Sequence, residues 1–304
     1  MTEARGDAAS SIYDLGYQGY HGPRLGRPRV AVGLLFQTLR AAYGIGRGGR
    51  AKIVPFLMLA LAVLPAILAV GIRALAAQAG AGEALEEVSP IRHDTYQNLT
   101  STLVMLFCAA QAPELFGRDQ RHGVLPLYFS RVLTRIDYTL ARAGGLVLAI
   151  FVISIVPQLI LTVGAILAAP DPLTGLRDDL PDVPRYLVVA VLASALLGGV
   201  STVIAAWTPR RAYATAAIIA VFIIPPIVVA LMAELAVGDL ARLLVLASPG
   251  DIIDGVNAAV FDTVSPNPTI VAADLPGWTY VVAALVWTLA CVALVLRRYL
   301  GITA

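Results

Sequence analysis

The sequence predicts an all-α membrane protein: a bundle of six transmembrane helices preceded by a helix that lies in the membrane interface. Hydrophobic residues make up 58% of the 304 positions and charged residues only 14%, whereas a soluble domain is about 25% charged. Six stretches also reach the length of about 20 mostly apolar residues that a helix needs to cross the hydrocarbon of a bilayer. The chain therefore has too little charge for an all-round water-facing surface and enough apolar length for six crossings.

The six predicted spans differ in polarity and in where they are interrupted. The second is the most polar and holds Gln111 and Glu114, whereas the fifth contains Pro225-Pro226. We expect the proline pair to break the fifth helix in its middle, because proline lacks the amide N–H of the helical hydrogen bond. The spans cover residues 53–78, 96–116, 139–169, 185–207, 212–236 and 278–296.

The distribution of basic residues predicts the orientation. Counted over alternate connecting segments, 17 Lys and Arg residues lie on one side of the spans and 4 on the other. Basic residues concentrate in the cytoplasmic loops of membrane proteins. We therefore expect a multi-pass protein of the cell membrane with both termini in the cytoplasm.

Three segments outside the spans have a pattern of their own. Residues 1–28 form a polar cytoplasmic leader, ahead of a transmembrane domain over residues 29–304. Apolar residues recur at helical spacing over residues 29–45, which predicts an amphipathic helix lying in the interface, either as an anchor only or with a further role. The outer loop, residues 237–276, holds two apolar pieces too short to span. They can dip into the outer leaflet like a re-entrant segment only if they pack against other helices.

The segment between the second and third spans, residues 117–138, is long and amphipathic. It reads GRDQRHGVLPLYFSRVLTRIDY and mixes apolar anchors with a dense set of charges. A plain connection between two helices needs only a few residues. The segment therefore predicts either docking onto a cytoplasmic partner or a second interfacial anchor held by anionic lipid headgroups.

The residues of several kinds of active site are missing from the sequence. The only lysine is Lys52, and its surroundings do not fit the phosphate-binding loop G-x-x-x-x-G-K-[ST]. The sequence also lacks H-E-x-x-H and G-x-S-x-G, and Cys108 and Cys291 lie in apolar runs that suit neither a disulfide nor a metal site. The histidines His21, His93 and His122 lie outside the predicted spans. We expect no catalytic, cofactor or metal site in this chain and no nucleic-acid partner.

The order of these parts resembles that of the ABC-2 type permeases: an interfacial helix, two spans, a long cytoplasmic loop, four spans and a re-entrant outer segment before the last span. Those proteins often carry a stretch similar to R-x-x-G-T-L-x-x-L-L-x-x-P-x-S-R-x-E-Y-x-x-G-K after the second span. The stretch IYDLGYQGYHGPRLGR, residues 12–27, also resembles the leader of many actinobacterial permeases of this type. The loop departs from the pattern at Val132, where proline is common, and has Pro126 a turn earlier. It matches at Gly123, Leu125, Arg135, Asp137 and Tyr138, with Arg142 in place of the lysine.

This resemblance implies the membrane-spanning subunit of an ATP-driven exporter. Two such subunits, identical or paired with a relative, would sit on two separate ATPase chains, which bind the ATP and Mg²⁺. In such exporters the loop after the second span is the coupling helix that inserts into the ATPase. The residues that we expect to couple are Arg118, Arg121, Gly123, Leu125, Pro126, Leu127, Tyr128, Phe129 and Arg131.

Spans two and five are similar to the cavity-lining helices of that family. Residues at three- and four-residue steps share one side of a helix, which we expect to face the path of the cargo. Two alternatives remain open: Cys108 and Gln111 face neighbouring helices, and Glu114 pairs with Arg118 one turn away. The predicted pathway residues are Ser101, Val104, Cys108, Gln111 and Glu114 on span two, and Ile218, Phe222, Pro225 and Val229 on span five.

A path with such a lining suits hydrophobic or amphipathic cargo, such as a drug, an antibiotic or a lipid. Two other classes of function compete with the exporter. A secondary multidrug transporter usually shows internal repeats with broken helices in matching positions, and Pro225-Pro226 has no counterpart in span two. A membrane-embedded enzyme acting on lipids needs a cluster of carboxylates or histidines on one cytoplasmic face.

Overall fold

A computed structural model describes residues 22, 26–79, 92–123, 125, 128, 133–169, 171–208, 210–235 and 242–301 of the chain. These residues form helices and no strand, and six helices are long and apolar enough to cross a membrane. The predicted class, a multi-pass all-α membrane protein, is therefore confirmed at this level. The residues of the predicted leader before Gly26, Gly22 excepted, lie outside the described part of the chain. The helices are α1 Arg27–Ala42, α2 Arg50–Gln78, α3 His93–Arg121, α4 Arg135–Ala168, α5 Pro172–Asp179, α6 Asp182–Trp207, α7 Arg211–Glu234, α8 Pro249–Phe261, α9 Pro268–Ala273 and α10 Gly277–Leu300.

Three of the six long helices form the centre of the bundle. In each helix, we compare the buried share of the residues in its 18-residue apolar stretch. This share is 56% in α3, 56% in α4 and 61% in α6, but only 22% in α2, 17% in α7 and 22% in α10. The central helices pack on one another, while α2 lies against α4, α7 against α3 and α10 against α6. The outer faces of α2, α7 and α10 are apolar, as surfaces that contact lipid must be.

Two helix boundaries differ from the prediction at the charged loop. The second long helix, α3, continues to Arg121, and α4 begins at Arg135. The side chain of Thr134 accepts a hydrogen bond from the amide of Asp137, and the Asp137 side chain reaches back to the Thr134 amide. This capping box starts α4 ahead of its apolar stretch, so the connection between the two helices is shorter than the predicted loop.

The proline pair in α7 does not break that helix, so the expected interruption is wrong. The helix is continuous from Arg211 to Glu234, with Pro225 and Pro226 inside it. Two consecutive prolines remove two hydrogen bonds of the ladder, but the turns on either side remain helical. The ring of Pro226 lies beside Gly250 at the start of α8.

The segment before the last long helix packs on neighbouring helices of the bundle. A short 3₁₀ turn, Val245–Ala247, leads into α8, which packs on α10, α6 and α3. The indole N–H of Trp287 donates to the carbonyl of Leu246 at 3.0 Å, and the Asn257 amide donates to the carbonyl of Asp94 at 2.7 Å. Gly255 lets α8 approach α10 closely, since a Cβ there would lie 2.3 Å from the ring of Tyr280.

Candidate functional site at the polar end of the bundle

The helix α1 runs alongside the first part of α4 and is tied to it along its length. At its start, Arg27 forms an ion pair with Asp137 at 2.6 Å. In its middle, Gly145 leaves room for Thr38, because a Cβ on this glycine would be 2.5 Å from that of Thr38. Just after its end, the hydroxyl of Tyr43 donates to the carbonyl of Ala149 at 2.8 Å. The predicted interfacial helix is thus packed as a fixed part of the bundle.

A buried polar network joins α3, α4 and α10 beside this helix. The carboxylate of Asp119 accepts from the guanidinium of Arg142 and, at 2.8 Å, from the hydroxyl of Tyr138. The amide of Gln120 donates to the hydroxyl of Tyr299 at 3.1 Å. The side chains of Asp119 and Arg142 are only 11% and 8% exposed. A buried charge of this kind needs its partner, because an unpaired one is very costly.

Glu114 is the second acid at this end, and its partners differ from the expected one. Its two carboxylate oxygens pair with Arg47 at 3.1 Å and with Arg211 at 3.4 Å. The pairing with Arg118, one turn along the same helix, is therefore wrong: the two bonded arginines come from the corner before α2 and from the first residue of α7. Glu114 thus links α3, α7 and the corner before α2 at one point.

The described coupling residues divide into two groups. Arg118 and Arg121 are exposed, and Gly123 takes a left-handed conformation with φ of 62° that ends the turn after α3. Leu125 is only 6% exposed, and the ring of Tyr128 packs on that of Tyr138 with centroids 5.2 Å apart. The two apolar side chains thus pack on the bundle itself, whereas the two arginines are exposed. The other predicted coupling residues, Pro126, Leu127, Phe129 and Arg131, lie outside the described residues.

The predicted pathway residues lie inside the single chain. Cys108 is fully buried and Gln111 is 8% exposed, both among neighbouring helices. This burial favours the alternative in which these two side chains take part in helix packing. Ser101, Glu114 and Pro225 are partly buried. The remaining predicted pathway residues are buried as well: Val104, Ile218, Phe222 and Val229.

The opposite end of the bundle holds a polar cluster around His93. Its Nδ1 lies 2.6 Å from Oε1 of Gln158, whose amide group donates to the His93 carbonyl, and its Nε2 lies 3.2 Å from Asp179. Both ring nitrogens face acceptors, so both hydrogen bonds form only when the ring carries two protons. Burial opposes ionisation of Asp179, but the hydrogen bond and charge of His93, a hydrogen bond from Thr162 and the charge of Arg73 together outweigh it, so the pKa of Asp179 lies below its usual range. This contact holds α5 to the bundle.

A second polar cluster lies on α8. The amide of Asn267 donates to Asp251 at 2.9 Å and to Asp254 at 3.0 Å. Burial, together with the neighbouring charge of Asp251, raises the pKa of Asp254 to about 6, against the opposing hydrogen bond of Asn267. Asp251 is 2% exposed, and its second oxygen has no hydrogen-bond partner among the described residues.

The sequence pattern signals some of these residues and not others. Asp119, Arg142 and Asp251 are charged residues at the margins of apolar stretches, where an ionisable group is costly and marks a site worth testing. Their partners cannot be derived from spacing, because each pair joins different helices. A comparison with models of protein families and a search of curated proteins find no match to this sequence.

Proposed function

We propose that this chain is the membrane-spanning permease subunit of an ATP-driven ABC exporter. In this proposal it lies in the cell membrane with both termini in the cytoplasm, and a separate ATPase chain binds and hydrolyses the ATP. The cargo is a hydrophobic or amphipathic small molecule, such as a drug, an antibiotic or a lipid. The chain itself is not an enzyme.

The proposal is supported mainly by one observation: α1 packs beside the end of α3 and the start of α4. The resemblance to ABC-2 permeases assigns an interfacial helix and a coupling segment to separate parts of the sequence. The ion pair of Arg27 with Asp137 and the cavity lined by both α1 and α3 bring those parts to one end of the bundle. The carbonyl of Leu300 accepts from Arg135 at 3.0 Å, so the last helix ends there too.

The exposed arginines at this end support an electrostatic contact with the ATPase. Arg118 and Arg121 project from the last turn of α3, ahead of the left-handed turn at Gly123. Leu125 packs on the bundle in the single chain, so we assign it to shaping the segment and the two arginines to the contact. The residues from 126 to 131 complete the coupling segment in this proposal.

The proposal includes a second permease copy or a related chain. Alternating access needs two bodies that move against each other, and the apolar outer faces of α2 and α7 are large enough for helix contacts within the membrane. On α7 the outer face includes Ile223, Ile224 and Ile227, which are all more than half exposed. The buried side of α3 that holds Cys108 would then reach a path only if α7 or α6 moves away from α3.

The proposal is tested by affinity capture from the native membrane. We expect the tagged chain to bring down an ATPase with a P-loop, and the mixture to hydrolyse ATP. After the partner is removed with high salt, the chain alone should hydrolyse none, because it lacks a P-loop. Replacing Arg118 and Arg121 with Glu should reduce the captured ATPase, while the pair Arg297 and Arg298 at the end of α10 serves as the control. Capture without any ATPase would contradict the proposal.

A further inference from the structure

A cavity of about 1080 Å³ opens between α1, the corner that leads into α2, and the end of α3. Its volume is slightly above the range of about 300–1,000 Å³ that small-molecule sites usually have. One face of α1 lines it at helical spacing, and Glu114 and Asp119 line it from α3. The lining residues that matter here are Phe36, Gln37, Arg40, Ile45, Arg47 and Arg118.

The charge balance of this cavity is positive. Its two acids are already paired, Glu114 with Arg47 at 3.1 Å and Asp119 with Arg142. Arg40 and Arg118 are exposed in the cavity wall, and within the described part of the chain neither guanidinium has a hydrogen-bond or ion-pair partner. Two fixed positive charges are therefore left for an anion. Gln37 adds an amide that can donate to the same anion.

The cavity also borders exposed apolar side chains at the start of α2. Phe36 and Ile45 line it and are 53% and 42% exposed. The long apolar helix α2 starts at Arg50, directly after the corner, and its first large apolar residue, Ile53, is 60% exposed. An amphipathic helix with an apolar outer face sits at the boundary between headgroups and acyl chains. The two arginines thus lie beside exposed apolar side chains, and an interfacial α1 would bring them to the level of lipid phosphates.

We propose that this cavity binds the headgroup of an anionic phospholipid of the adjoining leaflet. The lipid phosphate lies between Arg40 and Arg118, and an acyl chain runs past Ile45 along the start of α2. An acidic protein surface would match the charge, but it would leave Phe36 and Ile45 in water. A lipid satisfies both the charge and the apolar rim. The inference goes beyond the proposed transport function but shares Arg118 with the proposed ATPase contact, so lipid binding is measured on the chain without the ATPase.

The test is a lipid titration of the purified full-length chain in a neutral detergent, with retained lipid counted by native mass spectrometry. Dioleoyl-phosphatidylglycerol is the probe, and dioleoyl-phosphatidylcholine is the neutral lipid with the same chains. We expect the wild-type chain to retain the anionic lipid in preference to the neutral one. Each arginine at a membrane surface contributes about fivefold to such binding, so Arg40→Gln/Arg118→Gln should lose about 30-fold in affinity.

The control variant also loses two positive charges at this end of the bundle, but outside the cavity. Arg297 and Arg298 are exposed in the last turn of α10 and do not line the cavity, so Arg297→Gln/Arg298→Gln should retain the lipid. Thermal unfolding of each variant establishes that the fold is intact, and the single variant Arg40→Gln, with an expected loss of about fivefold, serves if the double variant unfolds.

Three outcomes would overturn the inference. Equal losses in the two double variants would mean that the lipid responds only to net charge. Displacement of the lipid by equimolar sn-glycerol 3-phosphate would mean that the site takes a soluble phosphate. Unchanged lipid binding in Arg40→Gln/Arg118→Gln, whether or not its ATPase capture falls, would mean that these arginines do not hold the lipid.

Discussion

At the scale of single residues, the ion pair of Asp119 and Arg142 is buried, so each charge depends on the other. Removing one member of a buried ion pair costs about 3–5 kcal/mol, because the other charge stays buried without a partner. Asp119→Ala should therefore lower the free energy of unfolding by about 3 kcal/mol. Thermal or SDS unfolding of the purified chain measures the change.

A matched control comes from an exposed pair in α6. Arg185 and Asp182 lie 2.8 Å apart with side chains 46% and 28% exposed, and such pairs contribute about 0–1 kcal/mol. Asp182→Ala should therefore have little effect. If the two alanine variants unfold alike, the Asp119 pair is not the structural tie described here.

Asp254 gives a prediction on pH. Its pKa rises from 3.8 to about 6 in the folded chain, so the folded state holds the proton more tightly than the unfolded state. Its contribution to stability is then complete below pH 4 and is lost as the pH rises through 6. Asp254→Asn stays neutral and escapes this loss.

The stability of Asp254→Asn relative to wild type should therefore grow between pH 4 and pH 7, by up to about 3 kcal/mol at about 1.4 kcal/mol per unit of pKa shift. Melting temperatures of both proteins across this range measure it. A difference that stays constant with pH would contradict the burial of this carboxyl group beside Asp251.

At the scale of elements, the docking of α1 on α4 depends on close approach at one glycine. A Cβ on Gly145 would lie 2.5 Å from that of Thr38 and 2.8 Å from a backbone oxygen of α1, whereas a Cβ on Gly144 would meet only the end of the Leu35 side chain at 3.3 Å. Overpacking of this kind typically costs about 1–3 kcal/mol. Gly145→Ala should therefore destabilise the chain and loosen α1.

Limited trypsin digestion reports on this helix. Cleavage after the exposed Arg40 should be faster in Gly145→Ala than in wild type, and Gly144→Ala should behave as wild type. Identical digestion of all three proteins would mean that α1 is not held through this contact.

Most of the helices, but not all of them, can be predicted from the sequence. The six long helices follow from apolar length, and α1 follows from the spacing of Leu35, Phe36 and Leu39. Nothing in the hydropathy pattern predicts α5, because it is short and polar and depends on the Asp171 cap and the contact of Asp179 with His93. The expected break at Pro225-Pro226 is wrong, because α7 is continuous from Arg211 to Glu234.

The candidate site follows from the sequence only in part. Charges near the ends of α3 and α4 are visible in the sequence, but their partners depend on how each helix is rotated in the bundle. Glu114 shows this: a partner one turn away is the natural local choice, yet its carboxylate pairs with Arg47 and Arg211 from other elements. The same reason explains why the side of α3 with Cys108 faces its neighbours.

At the scale of the whole molecule, several helix ends are joined by polar contacts at one end of the bundle. The start of α1, the end of α3, the start of α4 and the end of α10 all meet there through Arg27, Asp119 and Arg135. A force applied to the segment after α3 would reach α4 through Asp119 and α7 through Glu114. This arrangement fits the proposal that an outside motor acts on this end.

The most direct measurement of that proposal is transport by the chain reconstituted in proteoliposomes with the ATPase captured from its native membrane. The account predicts that an amphipathic fluorescent cargo moves across the bilayer only when ATP and Mg²⁺ are present on the ATPase side. It also predicts that Arg118→Glu/Arg121→Glu reduces both the movement and the bound ATPase. Transport by the chain without an ATPase, driven by an ion gradient, would contradict the account and identify a secondary transporter.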